Sequence, residues 1–471
     1  MELTVAEICW ATNGTLCAGA PDTIIKSVTT DSRAVESHAL FVPLRGSHAD
    51  GHSFIPAAFA AGALGTLVQR GVRLAAEVSA GGAVIEVDDP LRALADIARC
   101  WRERCATTVV AITGSNGKTS TKEMAWAIVA RRHRCFRTPG NFNNLIGVPL
   151  SLCMLQPEHE TAILELGMSE RGELSSLCAM SKPSIGLITN IGPSHLEQLK
   201  TLETVAAAKA ELFESLPQNG SAIVNRDDPF ADWLAARTQA RVLTFGIHGG
   251  EVTVAGDCQS NGFGTSFVLQ VRGKTAAVRL RMPGMHFLSN ALAAAAIADA
   301  LGMDLEDIVA GLEAFTGVQG RMETVCVGGL RIINDAYNAN PASMQHALKV
   351  LASMADAHRR IAVLGDMLEL GEQSSAFHYR LGQEVAALSL DYLLVTGQFA
   401  DATCKGARSG GMPTDRIVCR ADADALGREL VNLVRAGDAI LVKGSRRMRM
   451  ERVIALLQSS ITAATAVPQT G

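Results

Sequence analysis

Several things are missing from this sequence, and each absence closes off a class of function. No stretch approaches the roughly 18 consecutive apolar residues that a membrane-crossing helix needs. The Ala-rich segment 291–300 is broken by Asp299. Neither sign of charge is in excess: 43 Lys and Arg stand against 47 Asp and Glu, for a net charge of −4. Neither nucleic acid nor an anionic membrane is therefore an expected partner. The 11 cysteines, scattered from Cys9 to Cys419, form no CxxC pair and no Cys/His ligand spacing. Their odd number and scatter fit reduced thiols in a cytoplasmic protein. Cys100 and Cys105, the closest pair, are expected in one helix. The segment MELTVAEICW lacks a basic region followed by an apolar run, so no secretory signal is expected. Internal repeats and low-complexity tracts are absent too.

What is present is a 471-residue chain, 48% hydrophobic and 19% charged, long enough for about three domains. Up to about Val84 it reads as short helices and strands with many turns. From about Ile85 to Gly317 it reads as βα, with strands at 108–113, 162–166, 185–189 and 221–225. Each is short, nearly all apolar and bounded by turn residues, as a strand buried on both faces should be. Helices are expected at 119–130 and 201–216, and an antiparallel insertion at 240–282. A second βα series follows from Val318, with strands at 361–364, 392–395 and 439–442, and reads as a separate doubly wound domain. The small, polar tail SSITAATAVPQTG is expected to fray.

The most informative stretch is VVAITGSNGKTST, residues 109–121. An apolar strand enters the turn Gly114-Ser115-Asn116-Gly117, and a helix leaves it at Lys118, Thr119 and Ser120. Such a turn points free backbone N–H groups at one spot, where the helix dipole and a lysine complete a cradle for phosphate. The threonine hydroxyl is placed for Mg²⁺. Ile112 occupies the position of the first glycine of the longer P-loop pattern, so the motif is the shorter GxxGKT form.

Ligands of open α/β sheets gather at the carboxyl ends of the strands. Glu165 ends the strand 162–164, where a buried carboxylate needs a cation. Either Mg²⁺ at the P-loop or Arg171 can serve. His195 lies in the loop after strand 185–189, at the same edge, and is either a metal ligand or structural. Lys209 falls on the inward stripe of its helix, between Val205 and Leu212. A buried ammonium is unfavourable unless paired or neutralised, and this physics alone favours a salt bridge over a carbamate formed with CO₂. Asn290, one turn after His286, is placed to meet an adenine edge. Near the next domain, Arg321 has the planar fork to clamp a γ-phosphate. Asp335 ends the apolar run LRIIND and faces the same cleft, reaching a ribose or a phosphate-bound metal. The sequences LGDM (364–367) and KGSR (443–446) follow strands on that side.

Taken together, GSNGKT (114–119), ELGM (165–168), TNIGPSHLE (189–197), AKAELF (208–213), SNALAA (289–294), GRME (320–323) and NDAYNANP (334–341) resemble the Mur ligases of peptidoglycan synthesis. The match in order and spacing covers essentially the whole chain. The resemblance implies an α/β protein of three domains. A small UDP-binding domain (1–85) precedes a central ATP-binding P-loop domain (86–317) and a C-terminal Rossmann-like ligase domain (318–471). It implies an ATP-dependent amide ligase with two Mg²⁺ ions, and a shared functional set of Lys118, Glu165, His195, Asn290, Arg321 and Asp335. It also reverses the reading of Lys209, whose counterpart in relatives is typically N-carbamylated and binds metal with Thr119, Glu165 and His195. Thr30-Asp31-Ser32-Arg33, Arg45-Gly46, Asp50 and His52 look like the UDP site of the later ligases, and Asn141, Asn143, Asn144, Tyr337, Asn338 and Asn340 are implied to contact substrate. The YNANP loop and LGDMLELG (364–371) point to UDP-N-acetylmuramoyl-tripeptide and D-alanyl-D-alanine as the partners of a monomeric enzyme. A tripeptide-forming member and a folylpolyglutamate synthetase are the alternatives. The first would carry a DNPR signature, which is absent, and the second would not be expected to carry the TDSR and DGHxF motifs. One departure is Phe287 after His286, where the family usually shows Asn.

Overall fold

The computed structural model describes residues 1–46, 49–75, 81–261 and 264–465. Among them, the strands form a five-, a ten- and a six-stranded sheet and one two-stranded ladder. The first sheet runs in the order Thr15–Ala18, Ala83–Val87, Gly65–Gln69, Ala39–Phe41, Ser27–Thr29. Its strand Ala83–Val87 straddles the division expected at residue 85.

The ten-stranded sheet carries the P-loop. Its parallel part runs Cys135–Arg137, Thr161–Glu165, Thr108–Thr113, Ile185–Ile188, Ser221–Asn225, Arg241–Gly246, Val252–Val254. The chain enters at Thr108–Thr113, builds the two strands on one side, then crosses to the other. That reversal makes the carboxyl end of Thr108–Thr113 a topological switch point, where ligands bind in such sheets. Val109, Val110, Ala111 and Ile112 are buried with apolar layers on both faces, which is why their run is unbroken by polar residues. The region 240–282 is not wholly an antiparallel insertion. Arg241–Gly246 and Val252–Val254 extend the parallel sheet, and antiparallel pairing starts only with Gly264–Val271.

Helix Met285–Ala300 packs on the P-loop helix Lys118–Val129. Ala291, Ala293, Ala294, Ala295 and Ala296 are buried there, and their small side chains allow a close approach. Cys105 caps the end of helix Pro90–Arg104 in an extended conformation, so only Cys100 of that pair is helical. All eleven cysteines are free.

The third sheet runs Glu323–Val327, Leu330–Asp335, Ala439–Lys443, Arg360–Leu364, Tyr392–Val395, Ile417–Cys419, parallel except for its first pair. One core joins Met282 and Leu288 of the central unit to Met322, Ile333 and Met344 of the third. Helix Glu451–Thr465 takes up part of the tail expected to fray; residues 466–471 lie outside the described residues. Among the described residues no helix is long and apolar enough to cross a membrane.

Candidate active site

The glycine turn is held in shape by the loop after strand Ile185–Ile188. Ser115 N–H donates to Asn190 O (2.9 Å), Asn116 N–H to Asn190 Oδ1 (3.0 Å) and Gly192 N–H to Ser115 Oγ (2.9 Å). Thr189 Oγ1 donates to Asn116 O at 2.5 Å. Helix Lys118–Val129 then begins at Gly117 with φ +82° and no side-chain cap. Its first-turn N–H groups are therefore left for an anion, and the helix dipole favours one.

Gly117 is required twice over. A side chain is strained at that φ, and a Cβ there would overlap Oδ1 of Asn290. Asn290 thus lies directly beneath the turn, which is where the structure puts a residue expected near adenine. Gly117→Ala should lower kcat/KM for ATP by at least about tenfold, since the backbone penalty alone is about 1–2 kcal/mol. Steady-state kinetics at a temperature where the variant remains folded would check this.

Lys118 Nζ donates to Gly114 O at 2.7 Å. Desolvation lowers its pKa; Glu165 opposes that shift and Arg321 adds to it. Glu165 is buried and does not pair with Arg171. Its Oε2 accepts from Thr119 Oγ1 (2.8 Å) and its Oε1 from Asn143 Nδ2 (2.8 Å). The loop 138–144 that carries Asn143 is itself anchored. Lys122, fully buried, donates to Thr138 O (2.8 Å) and Gly140 O (3.3 Å), and Asn144 Oδ1 caps helix Gly147–Cys153 by accepting from Ile146 and Gly147 N–H.

Lys209 departs from the salt bridge that its sequence position favours. It is 2% exposed, and among the described residues no carboxylate lies within ion-pair distance of it. Burial drives its pKa well below the ordinary lysine value, and the nearby Lys118 pushes in the same direction. Both effects disfavour a charge on the amine, because a buried ammonium without a counter-charge is the costlier state.

Across the cleft stands the third unit. Asn340 Nδ2 donates to Asn116 Oδ1 at 2.7 Å, joining the P-loop to the start of helix Pro341–Ala352, which Asn340 also caps. The Arg321 guanidinium stacks on the Tyr337 ring at 4.1 Å, with Arg446 at 5.9 Å from the same ring. Asp335 pairs with buried Lys443 at 2.5 Å and accepts from Met322 N–H (3.1 Å). Lys443 Nζ also donates to Asn338 O (2.9 Å).

A cavity of about 830 Å³ is lined by Ser115 to Ser120, Asn141, Asn143, Asn144, Glu165, His195, Asn290, Arg321, Asp335, Tyr337, Asn338 and Asn340. A second, of about 420 Å³, adjoins it between Thr119, Asn141, Arg321, Tyr337 and Arg446. Asp31, Ser32, Arg33, Arg45, Gly46, Asp50 and His52 line neither cavity. They fall in two sets of their own: Arg33 holds Asp31 through Nε and Nη2 (2.9 and 2.8 Å), and Asp50 meets Arg45 (3.2 Å) and His52 Nδ1 (2.6 Å). His286 and His346 stack at 5.5 Å on the cavity wall. Burial, reinforced by His346 and Lys443, takes the pKa of His286 down to about 3. His346 carried no signal in the sequence, because one histidine on a helix face is unremarkable until its partner from another unit is seen.

A P-loop at a switch point, facing a second α/β unit over a polar cleft, defines an enzyme that works on a nucleotide phosphate between two units. Comparison with known proteins narrows that class. The Mur ligase family (catalytic domain) description matches residues 24–102, the Mur ligase middle domain 112–298, and the Mur ligase glutamate ligase domain 320–446. The UDP-N-acetylmuramoyl-tripeptide–D-alanyl-D-alanine ligase of Escherichia coli is 36% identical over 98% of this chain and 100% of its own. MurF from Acinetobacter baumannii superimposes with TM-score 0.89 at 33% identity, over 98% of this chain and 99% of that one. MurF from Thermotoga maritima in complex with ADP gives 0.80 at 27%, over 93% and 98%. The chain belongs to the Mur ligase family.

Proposed function

We propose that this protein joins D-alanyl-D-alanine to UDP-N-acetylmuramoyl-tripeptide at the expense of ATP, in peptidoglycan synthesis. The name of the full-length relatives supports the substrates. The single observation that carries the chemistry is the Asn116–Asn340 bond, which sets the P-loop and the third unit on either side of one cavity. In this reading residues 1–85 hold the UDP end through the Asp31–Arg33 and Arg45–Asp50–His52 sets. Residues 86–317 hold ATP, and residues 318–471 bring the dipeptide.

A carboxylate and an amine do not condense in water unaided. The terminal carboxylate oxygen of the tripeptide attacks the γ-phosphorus and ADP leaves. The dipeptide amine then attacks the acyl phosphate carbon, phosphate departs and the amine nitrogen loses a proton. Lys118 and the open helix N-terminus cradle the phosphates, and Arg321 meets the charge on the transferring group. Tyr337 holds the Arg321 guanidinium in place by stacking. Asn338 and Asn340 edge the side from which the amine arrives, and Asn141, Asn143 and Asn144 edge the acceptor side. Closure keeps out the water that would hydrolyse the acyl phosphate.

The donors present fit magnesium. Thr119 Oγ1 and Glu165 Oε2, 2.8 Å apart beside the phosphate cradle, are hard oxygens, and Lys209 in its uncharged form can take up CO₂, lose a proton and become a carbamate oxygen donor. Thr119, Glu165, His195 and carbamylated Lys209 would hold two ions, with the remaining ligands from phosphate and water. When bound, magnesium supplies charge neutralisation on the phosphate oxygens. Phosphate release should require ATP, the UDP-tripeptide and D-alanyl-D-alanine together. A panel of UDP-peptides and dipeptides in a phosphate-release assay checks this, and release without the dipeptide would count against this ligase.

A further inference from the structure

We propose that Glu369 is a positioning residue for His195 and couples docking of the third unit to loading of the metal site. The proposal rests on the ligase reading above, in which His195 helps to hold magnesium.

Glu369 Oε2 lies 2.8 Å from His195 Nδ1. Nδ1 is buried and makes no other hydrogen bond, so Glu369 is the acceptor within its reach. The two residues come from different units, and the segment that carries His195 also meets the Glu369 loop through its main chain: Glu197 N–H donates to Glu369 O at 3.2 Å. His195 and Glu369 both hold left-handed backbones, φ +52° and +64°. For residues other than glycine these are uncommon conformations, and such strain persists where the surroundings demand it. Gly371, at φ +61°, lets the loop press on the backbone of Glu197, 3.3 Å from where a Cβ would sit.

The Glu369 loop is tied firmly to its own unit. Leu368 N–H donates to Ser445 Oγ (2.9 Å), Ser445 N–H to Asp366 O (3.0 Å) and Met367 N–H to His378 Nε2 (3.0 Å). Asp366 accepts from Gln398 and Phe399 N–H. The carboxylate therefore moves with the third unit and cannot follow His195 if that unit swings away.

A neutral imidazole has one N–H and one lone pair. An acceptor at Nδ1 fixes the proton there, and leaves the Nε2 lone pair for a cation with the ring angle set. Undocked, His195 loses this partner and its tautomer is free. By linkage the effect is reciprocal: metal at His195 must favour docking by the same factor that docking favours metal. Loss of such an outer partner costs about 10–100-fold in metal affinity. The Glu369 side chain is 58% exposed, which places the effect near the lower figure.

The test uses full-length protein with saturating non-hydrolysable ATP analogue, and Mn²⁺ binding followed by electron paramagnetic resonance. Glu369→Ala should weaken Mn²⁺ binding about tenfold. Glu369→Lys, which sets a cation there, should weaken it at least as much and decides the matter if the Ala variant misfolds. Glu369→Gln keeps an acceptor oxygen and should restore part of the loss. Affinity for the analogue in EDTA should not change, whereas a merely structural defect would lower it. Small-angle scattering should show Mn²⁺ compacting the analogue-bound wild type more than the Ala variant. Mn²⁺ affinities of the Ala and Lys variants within twofold of wild type, or an equal loss in EDTA, would overturn the coupling alone. A wild type that binds no Mn²⁺ with the analogue would overturn the ligase reading with it.

Discussion

Lys118→Ala should cut phosphate release by two to three orders of magnitude at saturating ATP, UDP-tripeptide and dipeptide. A preorganised donor aimed at developing charge is worth about that much in a water-poor site. Nothing on the cradle can substitute for it. The helix N-terminus supplies partial charges, Arg321 approaches from the other unit, and burial disfavours a charge on Lys209. The fold should survive, since Lys118 Nζ makes one hydrogen bond, to Gly114 O of its own loop. The measurement is kcat by phosphate release, with the melting temperature as control. A variant that kept the wild-type rate would remove the P-loop assignment.

Lys209→Ala should lose about 99% of activity, since an oxygen donor and its charge leave a site built around phosphate, and should regain part of it with a small carboxylate such as formate or acetate. The rescue distinguishes two roles. If Lys209 served as a cation, no added anion could replace it. If it serves as a carbamate, a carboxylate that fits the vacated space restores an oxygen donor. Its burial without a counter-charge favours the second role, because that environment leaves the amine free to react with CO₂. Mass spectrometry under CO₂ trapping should find the modification on wild type and not on Lys209→Ala. Absence of both rescue and modification would leave Lys209 as a structural amine.

The P-loop was legible because strand, turn and helix lie in one continuous stretch, and each leaves its own pattern. Glu165 was legible as a carboxylate out of place at the end of an apolar run. Its partners were not, because Thr119 and Asn143 lie on other segments and only the sheet order brings them together. Lys209 shows the limit most clearly. Periodicity places it inward and by itself favours a salt bridge, a reading that only the family resemblance reverses; the folded chain shows that among the described residues no carboxylate lies within ion-pair distance of it. The Arg321–Tyr337 stack and the His286–His346 pair were likewise invisible, since stacking depends on ring orientation across separate elements. The strands at 241–246 and 252–254 misled for another reason: they are only partly buried, so their sequences mix polar and apolar residues and read like antiparallel pairs.

The anchoring of loop 138–144 has a consequence for how such a site can diversify. Lys122 grips main-chain oxygens, which every residue possesses, so the loop keeps its seat whatever side chains it displays. Asn141 can be exchanged without touching that grip, whereas Asn143 and Asn144 carry bonds of their own, to Glu165 and to the start of helix Gly147–Cys153. In the ligase reading proposed above, where this loop edges the acceptor side, Asn141 is the position to exchange in order to retune which acid is accepted.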